Sequence, residues 1–224
     1  MELTAVQRRV LGVLIEKSMT TPAQYPLTLT AILTGCNQLT CRDPVMHVSE
    51  GDVGRAVHEL QLMQLVSQAP PDRNARSNRF RHEVEARFGW AARERALMAE
   101  LMLRGPQTVG ELKTNASRMT PLEDLHYVGE LLATLGTRDP VFVRELPRQP
   151  GKSVVRFDHA LYTPDEVSAH DVASAAAARA PAAAESSPVA AAETPPTGAR
   201  LTELEQRVAA LEQAVAELRA RPGS

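Results

Sequence analysis

The sequence predicts a mainly α-helical α+β fold with small β-hairpins, organised as a duplicated unit followed by a tail. Three observations carry this. Aromatic residues are 4% of the chain against 43% hydrophobic residues overall, so the core must come from Leu, Val, Ala and Met, a composition that leans towards helix. One order of elements (helix, short helix, long capped helix, two-stranded hairpin) can be read twice within residues 1–162. At Thr163 the composition shifts abruptly to Ala, Pro, Ser and Glu. The duplicated order is that of a winged helix-turn-helix. The expected domains are therefore a first winged helix at 1–84, a second at 85–162, an Ala/Pro-rich linker at 163–200 and a short coiled coil at 201–219.

The first copy opens with Thr4 and Gln7 spaced as a capping box, ahead of a helix with a Val6, Val10, Val13, Leu14 stripe that ends near Lys17. Tyr25-Pro26-Leu27-Thr28 then leads into a short helix from Leu29 to Asn37. After Arg42-Asp43-Pro44, Ser49 is placed to cap a third helix, with Glu50 and Asp52 in its first turn, where the helix dipole favours acids. Its buried stripe is Val53, Ala56, Val57, Leu60 and Met63. Leu65-Val66-Ser67 and Arg79-Phe80-Arg81-His82 read as paired strands about a turn-rich tip at 70–78.

In the second copy a helix from about Trp90 to Arg104 is stopped by Gly105-Pro106. Thr108 caps a short helix with Val109 and Leu112. Thr120-Pro121 reads as a cap with a first-turn proline, opening a helix that carries Leu122, Leu125, Val128, Leu131, Leu132 and Leu135. Strands are expected at Val141–Leu146 and Ser153–Phe157. The copies share an architecture without close sequence similarity.

The segment after Thr163 has almost no large apolar residue, too little to offset the entropy of ordering it, and is expected to be disordered. Beyond it, Leu201, Leu204, Val208, Leu211, Val215 and Leu218 are spaced alternately by 3 and 4 residues. Val at a and Leu at d favour a parallel two-stranded coil, so a homodimer through this tail is expected, weak because fewer than three heptads are present. An amphipathic helix docking on its own chain is the alternative.

The net charge of −2 is unevenly placed: residues 1–162 hold 20 basic and 18 acidic side chains, and residues 163–224 hold 5 and 9. An anion-binding surface must lie in the first part. Cys36 and Cys41 match neither a zinc nor a redox spacing, and the six histidines (47, 58, 82, 126, 159 and 170) are scattered. No metal, cofactor or catalytic residue is expected, and the chain is not read as an enzyme. There is no apolar leader, and no run approaches the ~20 apolar residues of a membrane span, so a cytoplasmic protein that makes no membrane contact is expected.

Several stretches resemble the YceH-like family of uncharacterised bacterial proteins. These are Tyr25–Leu29, Cys36-Asn37-Gln38, Arg42–Met46, Leu103–Thr108, Leu146-Pro147-Arg148 and Pro150-Gly151-Lys152. The resemblance implies tandem winged helices over most of residues 1–160 and implies little about activity.

A reader of the DNA major groove needs donors on the third helix and cations for phosphates. The first copy offers Arg55, His58, Gln61 and Gln64 against Glu50, Asp52 and Glu59. The second offers His126 among Glu123, Asp124 and Glu130, acids that repel phosphate. The hairpins are richer, with Arg73, Arg76, Arg79 and Arg81 in one, and Arg144, Arg148, Lys152 and Arg156 in the other. The candidate DNA contacts are thus Arg55, His58, Gln61, Arg73, Arg76, Arg79, Arg81, Arg148 and Lys152. The expected function is a dimeric, regulatory DNA-binding protein using its first winged helix and arginine-rich wing. A scaffold that binds a partner protein complex without reading DNA is the alternative, and surface arginines that only keep a hairpin soluble would fit it. Arg42-Asp43-Pro44 is expected either to pin the connection it lies in or to touch a ligand.

Overall fold

The computed structural model describes residues 1–70, 77–148 and 154–166. Leu201, Leu204, Val208, Leu211, Val215 and Leu218 of the expected coiled coil, and residues 167–200 of the expected linker, lie outside the described residues.

The chain is α+β, and the doubled order of elements is present. The first set is α1 (Ala5–Thr20), β1 (Leu27–Thr28), α2 (Leu29–Cys36), α3 (Glu50–Leu62), β2 (Val66–Gln68) and β3 (Arg79–His82). A short α4 (Val84–Phe88) joins it to α5 (Ala92–Arg104), β4 (Gln107–Thr108), α6 (Val109–Ala116), α7 (Leu125–Thr137), β5 (Val143–Leu146) and β6 (Arg156–His159). Each set closes on a three-stranded antiparallel sheet, ordered β1-β3-β2 and β4-β6-β5. The registers correspond: Thr28 faces Arg79 as Thr108 faces Arg156, and Val66 faces His82 as Val143 faces His159.

Helix starts follow local chemistry. Thr4 accepts from Gln7 N–H while the Gln7 side chain accepts from Thr4 N–H, and Ser49 with Asp52 and Thr108 with Glu111 repeat the device. Four details correct the expectation. The hairpins are three-stranded, because the two residues before α2 and before α6 pair as β1 and β4. Helix α4 lies at the expected boundary between residues 84 and 85, where the sequence predicts no element. Helix α7 starts at Leu125, since Asp124 caps Tyr127 N–H at 2.8 Å while Met119 and Thr120 N–H donate back to the Ala116 carbonyl. Strand β6 lies at 156–159 and leaves Val154 exposed.

Helices α1 and α5 form the centre. Residues 7–16 of α1 are all buried, and so are 96–103 of α5. Helix α1 packs against α2, α3 and β3 of its own set and against α5 of the other. It is therefore buried nearly all round, with Gln7, Arg8, Arg9 and Glu16 among its buried residues, and does not bury a single apolar stripe alone. The close approach of the two central helices occurs at Gly12, where a Cβ would stand 3.0 Å from the Leu103 side chain.

The second set also returns to the start of the chain. Leu3 N–H donates to the Leu161 carbonyl at 2.9 Å, and the Arg8 guanidinium lies 4.6 Å from the Tyr162 ring centroid. Arg8 also binds both Glu166 carboxylate oxygens, at 2.8 and 2.6 Å. Residues 163–166, expected to open the linker, are tied back to α1: Thr163 donates to Glu166 from its backbone and its hydroxyl, and Arg8 supplies the counter-charge. That hydrogen-bonded ion pair with Arg8 holds the Glu166 carboxyl down at about 2.

Candidate nucleic-acid interface

Helix α3 turns Val53, Ala56, Val57 and Leu60 into the core. The remaining stripe (Gly51, Arg55, His58 and Leu62) is exposed along its length. Two of the three acids on this helix are engaged within the protein. Asp52 completes the capping box and lies 3.6 Å from Arg55, and Glu59 accepts from the Gln7 side chain at 2.7 Å. The Arg55 side chain is 70% exposed, so its contact with Asp52 leaves it available to solvent. Gln61 is half-buried at the edge of the stripe.

In the hairpin that follows, Arg73 and Arg76 lie outside the described residues. Arg79 is exposed, and its Nη1 donates to the Pro26 carbonyl at 2.8 Å. Arg81 Nε is shared between Ser67 Oγ at 3.1 Å and Glu83 at 2.9 Å. The hydrogen bond from Ser67 and the charge of Arg81 hold the Glu83 carboxyl below its ordinary value. Arg81 is thus charge-compensated, whereas Arg79 is tethered to a neutral carbonyl and keeps its full charge. Beneath the strand, His82 N–H donates to the Tyr25 hydroxyl at 2.7 Å. Ser18 spends its own proton on the Ile15 carbonyl, so it accepts from His82 Nε2 at 3.1 Å. Burial, with Arg95 nearby, pushes the His82 imidazole down to about 4.

The second set repeats the frame with different chemistry. Val128, Leu132 and Leu135 of α7 occupy the places of Val53, Val57 and Leu60. In that register Glu130 stands where Arg55 stands, and Ala133 where His58 stands. Glu130 lies 3.3 Å from His126, Glu123 pairs with Arg93 at 3.0 Å, and Asp124 is spent on its cap. Arg156 donates to the Pro106 carbonyl as Arg79 does to Pro26. Arg144 lies 3.7 Å from the buried Asp158 and Arg148 is exposed, while Lys152 lies outside the described residues. The candidate contacts therefore divide. Arg55, His58 and Arg79 share the first set with half-buried Gln61 and compensated Arg81, and Arg148 belongs to the second.

Sequence reasoning missed a buried ion network that positions the connection before α3. Arg42 meets Glu16 through two hydrogen bonds, at 3.1 and 2.5 Å, and donates to the Gly35 carbonyl at 3.0 Å. Arg118 bridges Glu16 at 2.5 Å and Glu100 at 2.9 Å, tying α1 to α5. Burial alone would raise the Glu16 carboxyl. The Arg42 hydrogen bonds, with the charges of Arg42, Arg118 and Lys17, hold it below its ordinary value. Asp43 N–H donates to the Leu103 carbonyl at 2.9 Å. The Arg42-Asp43 pair thus pins its connection, and pins it to both sets. A carboxylate inside each apolar run, Leu14-Ile15-Glu16 and Met98-Ala99-Glu100, is the signal for such buried partners.

Among the described residues no group of three or more His, Cys, Asp and Glu side chains could hold a metal ion, and no helix is long and apolar enough to cross a membrane.

Residues 3–152 match a family described as a protein of unknown function, DUF480. The chain is 46% identical over 169 residues to a UPF0502 protein of Geobacter sulfurreducens, covering 75% of this chain and 76% of that protein. It is 42% identical over 177 residues to a UPF0502 protein of Geotalea daltonii, with 79% and 80% covered. A UPF0502 protein of Azoarcus sp. is 42% identical over 178 residues, with 79% and 78% covered.

Proposed function

This chain belongs to the DUF480 (UPF0502) family of uncharacterised bacterial proteins, and from its geometry we propose that it is a tandem winged-helix protein that binds duplex DNA through its first half. The proposal is a binding, regulatory role in the cytoplasm, without catalysis or a cofactor. The observation that carries it is the outward stripe of α3, where Gly51 leads into Arg55 and His58 with no bulky side chain before them. In a winged helix this is the helix that enters the major groove, and its N-terminal half meets the base edges. Arg55 is suited to the O6 and N7 acceptors of guanine. Arg79, with Arg73 and Arg76 on the same hairpin, supplies sequence-independent phosphate contacts. The self-association expected of residues 201–219 would present two such helices to a symmetric site.

A test is selection of bound sequences from a random duplex library. The intact protein should enrich a motif, and Arg55→Ala with His58→Ala should flatten it, because each good bidentate base contact carries about 1–3 kcal/mol of discrimination. If the double variant enriches the same motif as strongly, α3 does not read the bases. The scaffold alternative draws support from the second half. There Glu130 and Ala133 replace Arg55 and His58, and Leu125 is 55% exposed, so this helix face suits a protein better than a phosphate backbone.

A further inference from the structure

Each third helix is entered through a connection, residues 37–49 before α3 and 117–124 before α7. An arginine of the central helix in the same half holds each one. Arg9 of α1 donates to the Cys36 carbonyl at 3.1 Å and to the Pro44 carbonyl at 2.6 Å. Arg93 of α5 donates to the Pro121 carbonyl at 3.3 Å.

A further restraint crosses between the halves. Arg42 of the first connection and Arg118 of the second meet on one carboxylate, Glu16, whose side chain is 1% exposed. Arg118 lies 102 residues from Glu16 along the chain, and it also reaches Glu100 of α5. Arg42 carries the restraint onward, since it donates to the Gly35 carbonyl at 3.0 Å and to the Cys41 carbonyl at 2.8 Å. The next amide, that of Asp43, donates to the Leu103 carbonyl of α5.

This fixes the N-terminal end of α3. Asn37 closes α2, and Val48 precedes the Ser49 cap. The two are joined in both directions: Asn37 Nδ2 donates to the Val48 carbonyl at 2.9 Å, and Val48 N–H donates to Asn37 Oδ1 at 2.8 Å. Arg42 and Asp43 thus sit inside a closed loop whose far end delivers the cap. The other end of α3 has its own tether, Glu59 to Gln7. Arg55 and His58 lie between the two.

We propose that Arg118, a residue of the second half, is a positioning residue for α3. It fixes the Glu16 carboxylate, which orients Arg42, and so sets how Gly51 and Arg55 are presented. The consequence for base reading rests on DNA binding by the first half, whereas the restraint itself does not.

Hydrogen exchange of the intact protein without DNA tests the restraint at the Asp43 and Val48 amides. Arg118→Ala should fold, because Glu16 keeps Arg42 and has Lys17 at 3.5 Å, while Glu100 keeps Arg104 at 3.4 Å. Arg138→Ala is the control. Its guanidinium is likewise 30% exposed and meets the buried Glu94 at 2.6 Å, but its hydrogen bonds go to Phe88 and Glu94, not to residues 37–49. Exchange at both amides should be about tenfold faster or more in Arg118→Ala, as expected when a charge-assisted hydrogen bond is lost, and unchanged in Arg138→Ala. In the library selection, Arg118→Ala should weaken the enriched motif while leaving the salt dependence set by the hairpin arginines as it was. Unchanged exchange in Arg118→Ala, equal acceleration in Arg138→Ala, or an unaltered motif would overturn the proposal. If the intact protein binds no duplex, the DNA reading fails by itself, and the exchange rates still decide whether Arg118 places α3.

Discussion

Gly35 lies where α2 crosses α1, and a Cβ there would fall 2.6 Å from a Val13 methyl carbon. Val13 is fully buried and has no room to turn away. Gly35→Ala should therefore cost about 1–3 kcal/mol through overpacking, read as a lower denaturant midpoint at an unchanged slope. His82 and His159 face the same kind of constraint with a proton in place of a methyl group. His82 Nδ1 is buried without a hydrogen-bond partner, and His159 Nδ1 accepts from Leu161 N–H at 3.3 Å. Protonating either ring places an N–H where no acceptor waits. Burial pushes His82 down to about 4, with Arg95 adding to it and Glu83 and Glu85 opposing it. Burial, with Arg8 and Arg144, pushes His159 down to about 3. Both imidazoles titrate near 6.5 in the unfolded chain, so below that pH the unfolded state binds more protons. Their contribution to stability is complete above about pH 6.5 and is lost as pH falls through 4 towards 3, by several kcal/mol in all. Urea unfolding at pH 7 and pH 5 checks this, and replacing both histidines by Gln should flatten the difference.

At the scale of elements, the caps were legible because a cap is a local device. Thr4, Ser49 and Thr108 announce themselves with Gln7, Asp52 and Glu111 three residues on. Strands β1 and β4 were not legible, because two residues carry no alternation and owe their pairing to Phe80 and Phe157 across the sheet. The start of α7 was misread for a related reason. Thr120-Pro121 has the local signature of a cap, but the turn ending α6 claims Thr120 N–H and Arg93 holds the Pro121 carbonyl at 3.3 Å. The candidate interface was half legible. Exposure of Arg55 and His58 follows from helical periodicity, whereas compensation of Arg81 by Glu83 and tethering of Arg79 by Pro26 depend on the sheet. The ion network is the largest unread feature, since its members are far apart in the chain. Glu16→Ala would strand Arg42, fully buried, and Arg118 would keep only Glu100. A loss of about 3–5 kcal/mol is expected, the cost of breaking a buried pair from one side. Thermal unfolding of the variant would show it, and a change below 1 kcal/mol would mean the network is not a stabilising hinge pin.

On the scale of the whole molecule, the two sets share one hydrophobic core through α1 and α5, and Glu16, Arg118, Asp43 and Arg8 fasten them further. On this shared frame the duplicated helices diverge at the surface, with Arg55 and His58 on the outer stripe of α3 where α7 carries Glu130 and Ala133. The proposed division of labour follows, with the first half meeting DNA and the second leaving a face for a protein. The most direct test is the affinity of the intact protein for duplex DNA at 50 and 200 mM salt. Three phosphate contacts from Arg73, Arg76 and Arg79 would give a log–log slope of about −2.7, a roughly 40-fold loss across that range. Replacing the three by Ala should remove most of this dependence. An affinity that does not change with salt, or no duplex binding at 50 mM, would contradict DNA binding by the first half.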